Sequence, residues 1–213
     1  MRALEQEGIG FNADAWHRRV GKDLPDVLAD HTHVSRSDVL ALGTRWRQTG
    51  TEEAARELLV GSCIWGFGPT GYGAYRTGLM LATPDAGKRL TATLDLLEED
   101  LPSAYQSMWQ ANHLDRLGPA FWTKLFYFAR YQLRSPEVQP LILDANVARA
   151  LRARTDEGWM LSSWSSQQYL HYCQLVRDWA DAQSAEPHDI EFELFHQGSK
   201  RRREARGRRR ASS

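Results

Sequence analysis

The stretch from Leu114 to Leu151, LDRLGPAFWTKLFYFARYQLRSPEVQPLILDANVARAL, decides the reading of the fold. Gly118-Pro119 breaks one helix and begins another, because proline is tolerated at a first helical position whose N–H has no intrahelical partner. In that second helix Ala120 and Phe121 precede Lys124 by four and three residues, and Tyr127 and Phe128 follow it by three and four, so all share one face. A lysine there either snorkels, with its stem on aromatic surface and its head in water, or is buried. Burial disfavours the ammonium and leaves a nucleophilic amine. Twenty residues further on, the apolar run Leu141-Ile142-Leu143 ends in Asp144, whose carboxylate can cap the helix that follows. A carboxylate fixed at a helix N-terminus is held ionised and aimed, so the same residue can serve as an electrostatic catalyst.

Outward from this segment, helical spacing is common and strict alternation is almost absent. Ser35 or Ser37 can cap a helix running to Trp46 or Arg47, and Thr51 with Glu52 and Glu53 opens a second that reaches Cys63, predicting a helical hairpin. The stretch Trp65 to Gly73 (WGFGPTGYG), with four glycines and three aromatics, reads as a loop able to approach a ligand closely. Further helices are expected at 86–99, 102–113, 119–132, 145–154, 165–183 and 189–195, separated by prolines. Pro140 to Leu143 is the one convincing extended piece. The expected fold is all-α, in two interleaved helical lobes over residues 1–199, with a disordered basic tail at 200–213.

The order of helix, glycine turn, helix bearing Lys124, an interval of twenty and an apolar run ending in Asp144 resembles the helix-hairpin-helix superfamily of DNA glycosylases. Within it the chain is similar to the 8-oxoguanine-glycosylase branch, especially its compact archaeal and bacterial members, some of which are antiviral enzymes removing hypermodified phage bases. The resemblance centres on residues 102–154 and implies that Lys124 attacks the sugar C1′ to form a Schiff base, with or without β-lyase activity. Asp144 would assist the lysine and stabilise the cationic sugar. Arg116, Leu117, Gly118 and Ala120 would grip the DNA backbone, although the turn has one glycine fewer than family hairpins. Such an enzyme flips its target base out of the duplex. Trp65, Phe67, Tyr72, Trp164 and Gln168 are candidates for the pocket that receives it, and core packing or helix capping is an equally good account of each. The implied partner is double-stranded DNA containing a modified base, bound by a monomer without a cofactor. A non-catalytic helix-hairpin-helix DNA-binding protein is the alternative, although binding alone requires neither Lys124 nor Asp144.

Charge and composition agree with this placement. The 213 residues are 42% hydrophobic and 25% charged, as in ordinary folded proteins. The formal charge of zero hides a division: residues 200–213 hold eight of the 27 basic side chains and one of the 27 acidic ones, leaving a net of −7 on residues 1–199. Within that acidic body, residues 114–154 carry seven arginines and lysines against three carboxylates, a local excess of the kind phosphate contact needs. The tail would add non-specific, salt-dependent attraction to nucleic acid. With only Cys63 and Cys173, and no CxxC, an all-cysteine zinc site, a four-cysteine cluster and a disulfide framework are excluded. His31-Thr32-His33 lacks a third ligand and is expected to be a solvated loop, so no metal site is assigned. No stretch nears the ~18 apolar residues of a membrane span, and the expected location is cytoplasmic.

Overall fold

The computed structural model describes residues 2–135 and 137–211. Its helices are α1 (Ala13–Val20), α2 (Asp26–Ala29), α3 (Arg36–Thr49), α4 (Glu52–Phe67), α5 (Gly71–Leu81), α6 (Ala86–Glu99), α7 (Leu101–Ser107), α8 (Pro119–Arg130), α9 (Ala145–Arg154), α10 (Ser166–Gln183) and α11 (Pro187–Ala211). Among the described residues the only sheet pairs β1 (Ile9–Gly10) antiparallel with β2 (His33–Val34). The fold is therefore all-α, and among the described residues no helix is long and apolar enough to cross a membrane.

Local chemistry explains where the helices start. Ser35 and Asp38 close a reciprocal capping box on α3, Thr51 accepts from Ala54 N at the start of α4, and Asp100 accepts from Ser103 N at the start of α7. The middle of α4 is apolar and buried at Leu58, Leu59, Val60, Cys63 and Ile64, and the helix packs against α3, α5, α6 and α8. From Trp122 to Ala129, α8 is buried on every side, which suits a helix placed through the middle of a core. One apolar cluster runs from Phe11 to Leu194. The N-terminal segment meets the start of α11, where the Ala3 amide donates to Asp189 at 2.6 Å.

Three expectations are corrected. Most of the stretch 65–73 is not a loop: α4 continues through Phe67, α5 begins at Gly71, and only residues 68–70 connect them. A helical glycine costs about 1 kcal/mol relative to alanine, and tight packing against neighbouring helices offsets that here. The helix expected at 102–113 ends at Ser107, whose carbonyl turns to accept from Gln110 N and Asn112 N, both at 3.0 Å. The largest difference is in the C-terminal part, where the expected short helix and, as far as Ala211, the expected disordered tail are one helix, α11; residues 212–213 of that tail lie outside the described residues. Among the described residues the extended piece at 140–143 pairs with no strand.

The helices α3 and α8 cross so closely at Gly43 that a Cβ there would overlap the Phe128 carbonyl. Gly43→Ala should therefore force the helices apart and cost about 1–3 kcal/mol, read as a lower urea midpoint with an unchanged slope.

Candidate active site

Lys124 sits in the second turn of α8 and is 6% exposed, so it is buried rather than snorkelling. Its Nζ donates to the Ala120 carbonyl at 2.9 Å and lies 3.7 Å from Asp144 Oδ2. The other carboxylate oxygen, Asp144 Oδ1, accepts from Asn146 N at 2.8 Å and Val147 N at 3.1 Å. The two oxygens thus divide the two roles the sequence leaves open: one caps α9 and the other faces the amine. Gly66 of α4 packs under the lysine stem, where a Cβ would lie 3.0 Å from Lys124 Cδ and 2.8 Å from the Phe121 ring.

The register between lysine and aspartate is fixed by hydroxyl groups. Thr123, adjacent to Lys124, both donates to the Leu143 carbonyl and accepts from the Leu143 amide, each at 3.2 Å. Tyr169 donates to Leu141 O at 2.9 Å and Tyr172 to Ile142 O at 2.8 Å. A buried extended segment without a partner strand must still satisfy its backbone, and here α8 and α10 supply the donors.

Lys124 and Asp144 lie in the wall of a cavity of about 270 Å³ whose other faces are largely aromatic and aliphatic: Trp65, Phe67, Phe192, Phe195, Ile9 and Ile142. Its polar lining adds Gln6 and a buried ion pair between Arg36 and Glu191 at 3.0 Å, with side chains 1% and 2% exposed. The Arg36 guanidinium lies 5.0 Å from the Trp65 and Tyr127 ring centroids and 5.7 Å from that of Phe192. Burial works against its charge, but Glu191 and Tyr127 outweigh it and hold the pKa above the ordinary arginine value. Burial pushes the Glu191 carboxyl above its ordinary range, and Arg36 opposes that shift. Among the described residues Arg36 Nε and Gln6 Oε1 are shielded from solvent and have no hydrogen-bond partner.

The comparison with known families bears on this geometry. A family model described as "Putative 8-oxoguanine DNA glycosylase OGG-like protein" matches residues 2–195, nearly the whole chain. The chain belongs to this family. No curated protein and no solved structure matches it. Membership in the OGG-like family points to DNA glycosylase as the general activity and to DNA as the substrate.

Of the residues singled out from sequence, this OGG-like fold brings Lys124, Asp144, Trp65 and Phe67 to one cavity. Tyr72 stays outside it, 58% exposed and 6.5 Å from the Tyr75 ring centroid. Trp164 is a core residue, 1% exposed, whose indole donates to Met160 O at 2.8 Å. Gln168 closes a capping box with Ser165 at the start of α10. In the turn before α8, Arg116 takes a left-handed φ of 66° and its carbonyl accepts from Arg76 at 2.7 Å, while the Leu117 side chain is buried. Gly118 has no atom within 4 Å of where a Cβ would stand, so its backbone is open to an approaching group. The Ala120 carbonyl is occupied by Lys124. Sequence reasoning misses Gln6, Arg36, Glu191, Phe192 and Phe195, which reach the OGG-like cavity from the two ends of the chain. Arginine directly behind the Ser35 cap and the Phe192-x-x-Phe195 spacing were the available signals.

Thr123→Val keeps the side-chain shape but strands the buried Leu143 amide and carbonyl. A loss of about 1–3 kcal/mol in urea denaturation is expected, and Thr123→Ser should restore most of it.

Proposed function

We propose that this chain is a lysine-dependent DNA N-glycosylase that removes a modified base. The observation that carries the reading is the Lys124 amine, 3.7 Å from Asp144 Oδ2, in the wall of an aromatic cavity. Base-stacked DNA hides C1′, so the nucleotide must leave the helix and its base must enter a pocket. Trp65, Phe67, Phe192 and Phe195 supply the apolar faces for a flat heterocycle, and Gln6 and the Arg36–Glu191 pair add polar groups to the same lining. The cavity, about 270 Å³, is just under the volume range of typical small-molecule pockets. That favours an oxidised purine such as 8-oxoguanine, and hence a role in base-excision repair, over the removal of a bulky hypermodified phage base in antiviral defence.

Chemistry begins when Nζ gives up a proton, for which Asp144 Oδ2 is the facing carboxylate oxygen. The lone pair then bonds to C1′ as the glycosidic C–N bond breaks, and that electron pair leaves with the base. Asp144 Oδ2 passes that proton to the departing base and, ionised again, stabilises the positive charge left on the sugar adduct. One of the two protons left on Nζ then moves to the ring oxygen as the C1′–O4′ bond breaks, giving a protonated Lys124 imine, which water hydrolyses or which loses a C2′ proton and the 3′ phosphate by β-elimination. Between turnovers the amine rests on the carbonyl of Ala120, one turn back along its own helix.

Incubation with duplexes carrying 8-oxoguanine and with glycosylated phage DNA, scored for abasic sites and strand breaks, tests the substrate. Borohydride should trap an enzyme–DNA adduct on the excised substrate, and Lys124→Ala should abolish it; excision by wild type without any trapping would replace the lysine by water as nucleophile. Asp144→Asn separates capping from catalysis, because asparagine caps a helix about as well as aspartate but carries no charge. Single-turnover excision should fall by about 10²-fold or more with little change in the urea midpoint. Near wild-type excision by a folded Asp144→Asn protein would leave Asp144 a helix cap with no part in the chemistry.

A further inference from the structure

The α11 helix has two parts of opposite character joined without a break. Its first part faces the cavity through Glu191, Phe192 and Phe195 and packs against α9 and α10. At Gly198 it presses on the start of α9 so closely that a Cβ would overlap the Asn146 carbonyl, two residues from the Asp144 cap. Arg154 at the far end of α9 pairs with Glu193 at 2.6 Å, so the two helices run antiparallel and their relative position is pinned at both ends. Beyond Gly198 the helix leaves the body: every residue from Lys200 to Ala205 is exposed. Residues 200–211 contain eight arginines and lysines and one glutamate, with no large apolar side chain, so this part has no apolar stripe with which to join a protein core. It also lies beyond residue 195, where the match to the OGG-like family ends.

We infer that residues 200–211 form a directed arm that binds the phosphate backbone on one side only of the nucleotide held at Lys124 and Asp144. The inference rests on the DNA-glycosylase reading for the position of that nucleotide. Several observations set its terms. An array of arginines and lysines with no apolar partner suits a polyanion, and duplex DNA carries one charge per about 1.7 Å. Twelve helical residues extend about 18 Å, comparable to about five base pairs of duplex. Basic residues near a helix C-terminus are favoured by its dipole, and Glu204 lies four residues from Lys200, a spacing that supports the helical form. Above all, the arm starts about one turn from the Asn146 contact, and a rigid helix that starts there can point along only one flank of the site. A disordered tail of the same charge would reach either flank equally.

The test uses binding alone, so that it is independent of base excision. The full chain and a chain ending at Ser199 are titrated against a 30-base-pair duplex with a central, non-cleavable abasic-site analogue, over a range of salt. Removal of the arm should weaken binding by about 10-fold or more at low salt and flatten the dependence of log K on log salt by about 0.9 for each phosphate that the arm neutralises. Two further duplexes are shortened to four base pairs on one side or the other of the analogue. Shortening one particular side should reduce the affinity of the full chain to nearly that of the truncated chain, and shortening the opposite side should change both chains alike. Ala205→Pro breaks the helix but keeps the charge, and should erase the difference between the sides. Equal affinities and salt slopes for the two chains would overturn the inference, as would a full chain that loses affinity equally whichever side is shortened. A one-sided arm effect in a protein that excises no modified base would leave the arm standing and remove the glycosylase reading.

Discussion

Three hydroxyl groups, those of Thr123, Tyr169 and Tyr172, hold the backbone of Leu141, Ile142 and Leu143, and the position of Asp144 follows from them. An extended segment inside a helical protein has no neighbouring strand to satisfy it, and each buried carbonyl left alone would cost about 1–3 kcal/mol. Satisfying the segment with side chains from α8 and α10 does more than avoid that cost. It locks the chain entering α9 to the helix that carries Lys124, so the separation of amine and carboxylate is set by core hydrogen bonds and not by the flexible side chains themselves. The phenols involved are themselves buried, and burial raises the pKa of Tyr169 and Tyr172 well above the ordinary value, which keeps them in the donor form.

The second lock is electrostatic. Arg36 on α3 and Glu191 on α11 come from opposite ends of the sequence and meet beside the cavity, each almost wholly removed from water. A pair so desolvated adds little net stability over a well-packed apolar pair, whereas loss of one partner would leave an uncompensated charge. The pair ties α3 to α11 beside the cavity that both helices line. Together with Lys124 and Asp144 it gives the lining two cations and two anions, so the acidic body presents a balanced interior at the one place where a nucleotide would enter.

Legibility in the sequence follows the range of the interactions. Helix starts are written locally in capping residues: Thr51 and Asp144 cap where the sequence places them, and Ser35 is the one of the two candidate serines that caps α3. Lys124 and Asp144, each open to a bland reading on its own, were paired in the sequence by the family resemblance, and the structure brings them to one cavity. The glycines at 66 and 73 were misread as loop signals because what they accommodate, the Lys124 stem and the Phe67 ring, comes from packing that local spacing does not encode. Arg36 and Glu191 are separated by 155 positions and neither is unusual alone, so their pairing could not be read at all. Trp164 and Gln168 show the opposite error, polar and aromatic residues with ordinary structural duties.

Cys63 and Cys173 are both free and buried, and burial pushes each thiol up to about 12. Alkylating and spin-labelling reagents react with thiolates, which these two residues scarcely form and do not expose. The natural chain is therefore a silent background for labelling chemistry. A single cysteine introduced on an exposed turn of α11 would be the sole reactive thiol, and a probe attached there could report the direction of that helix in solution with no other residue altered.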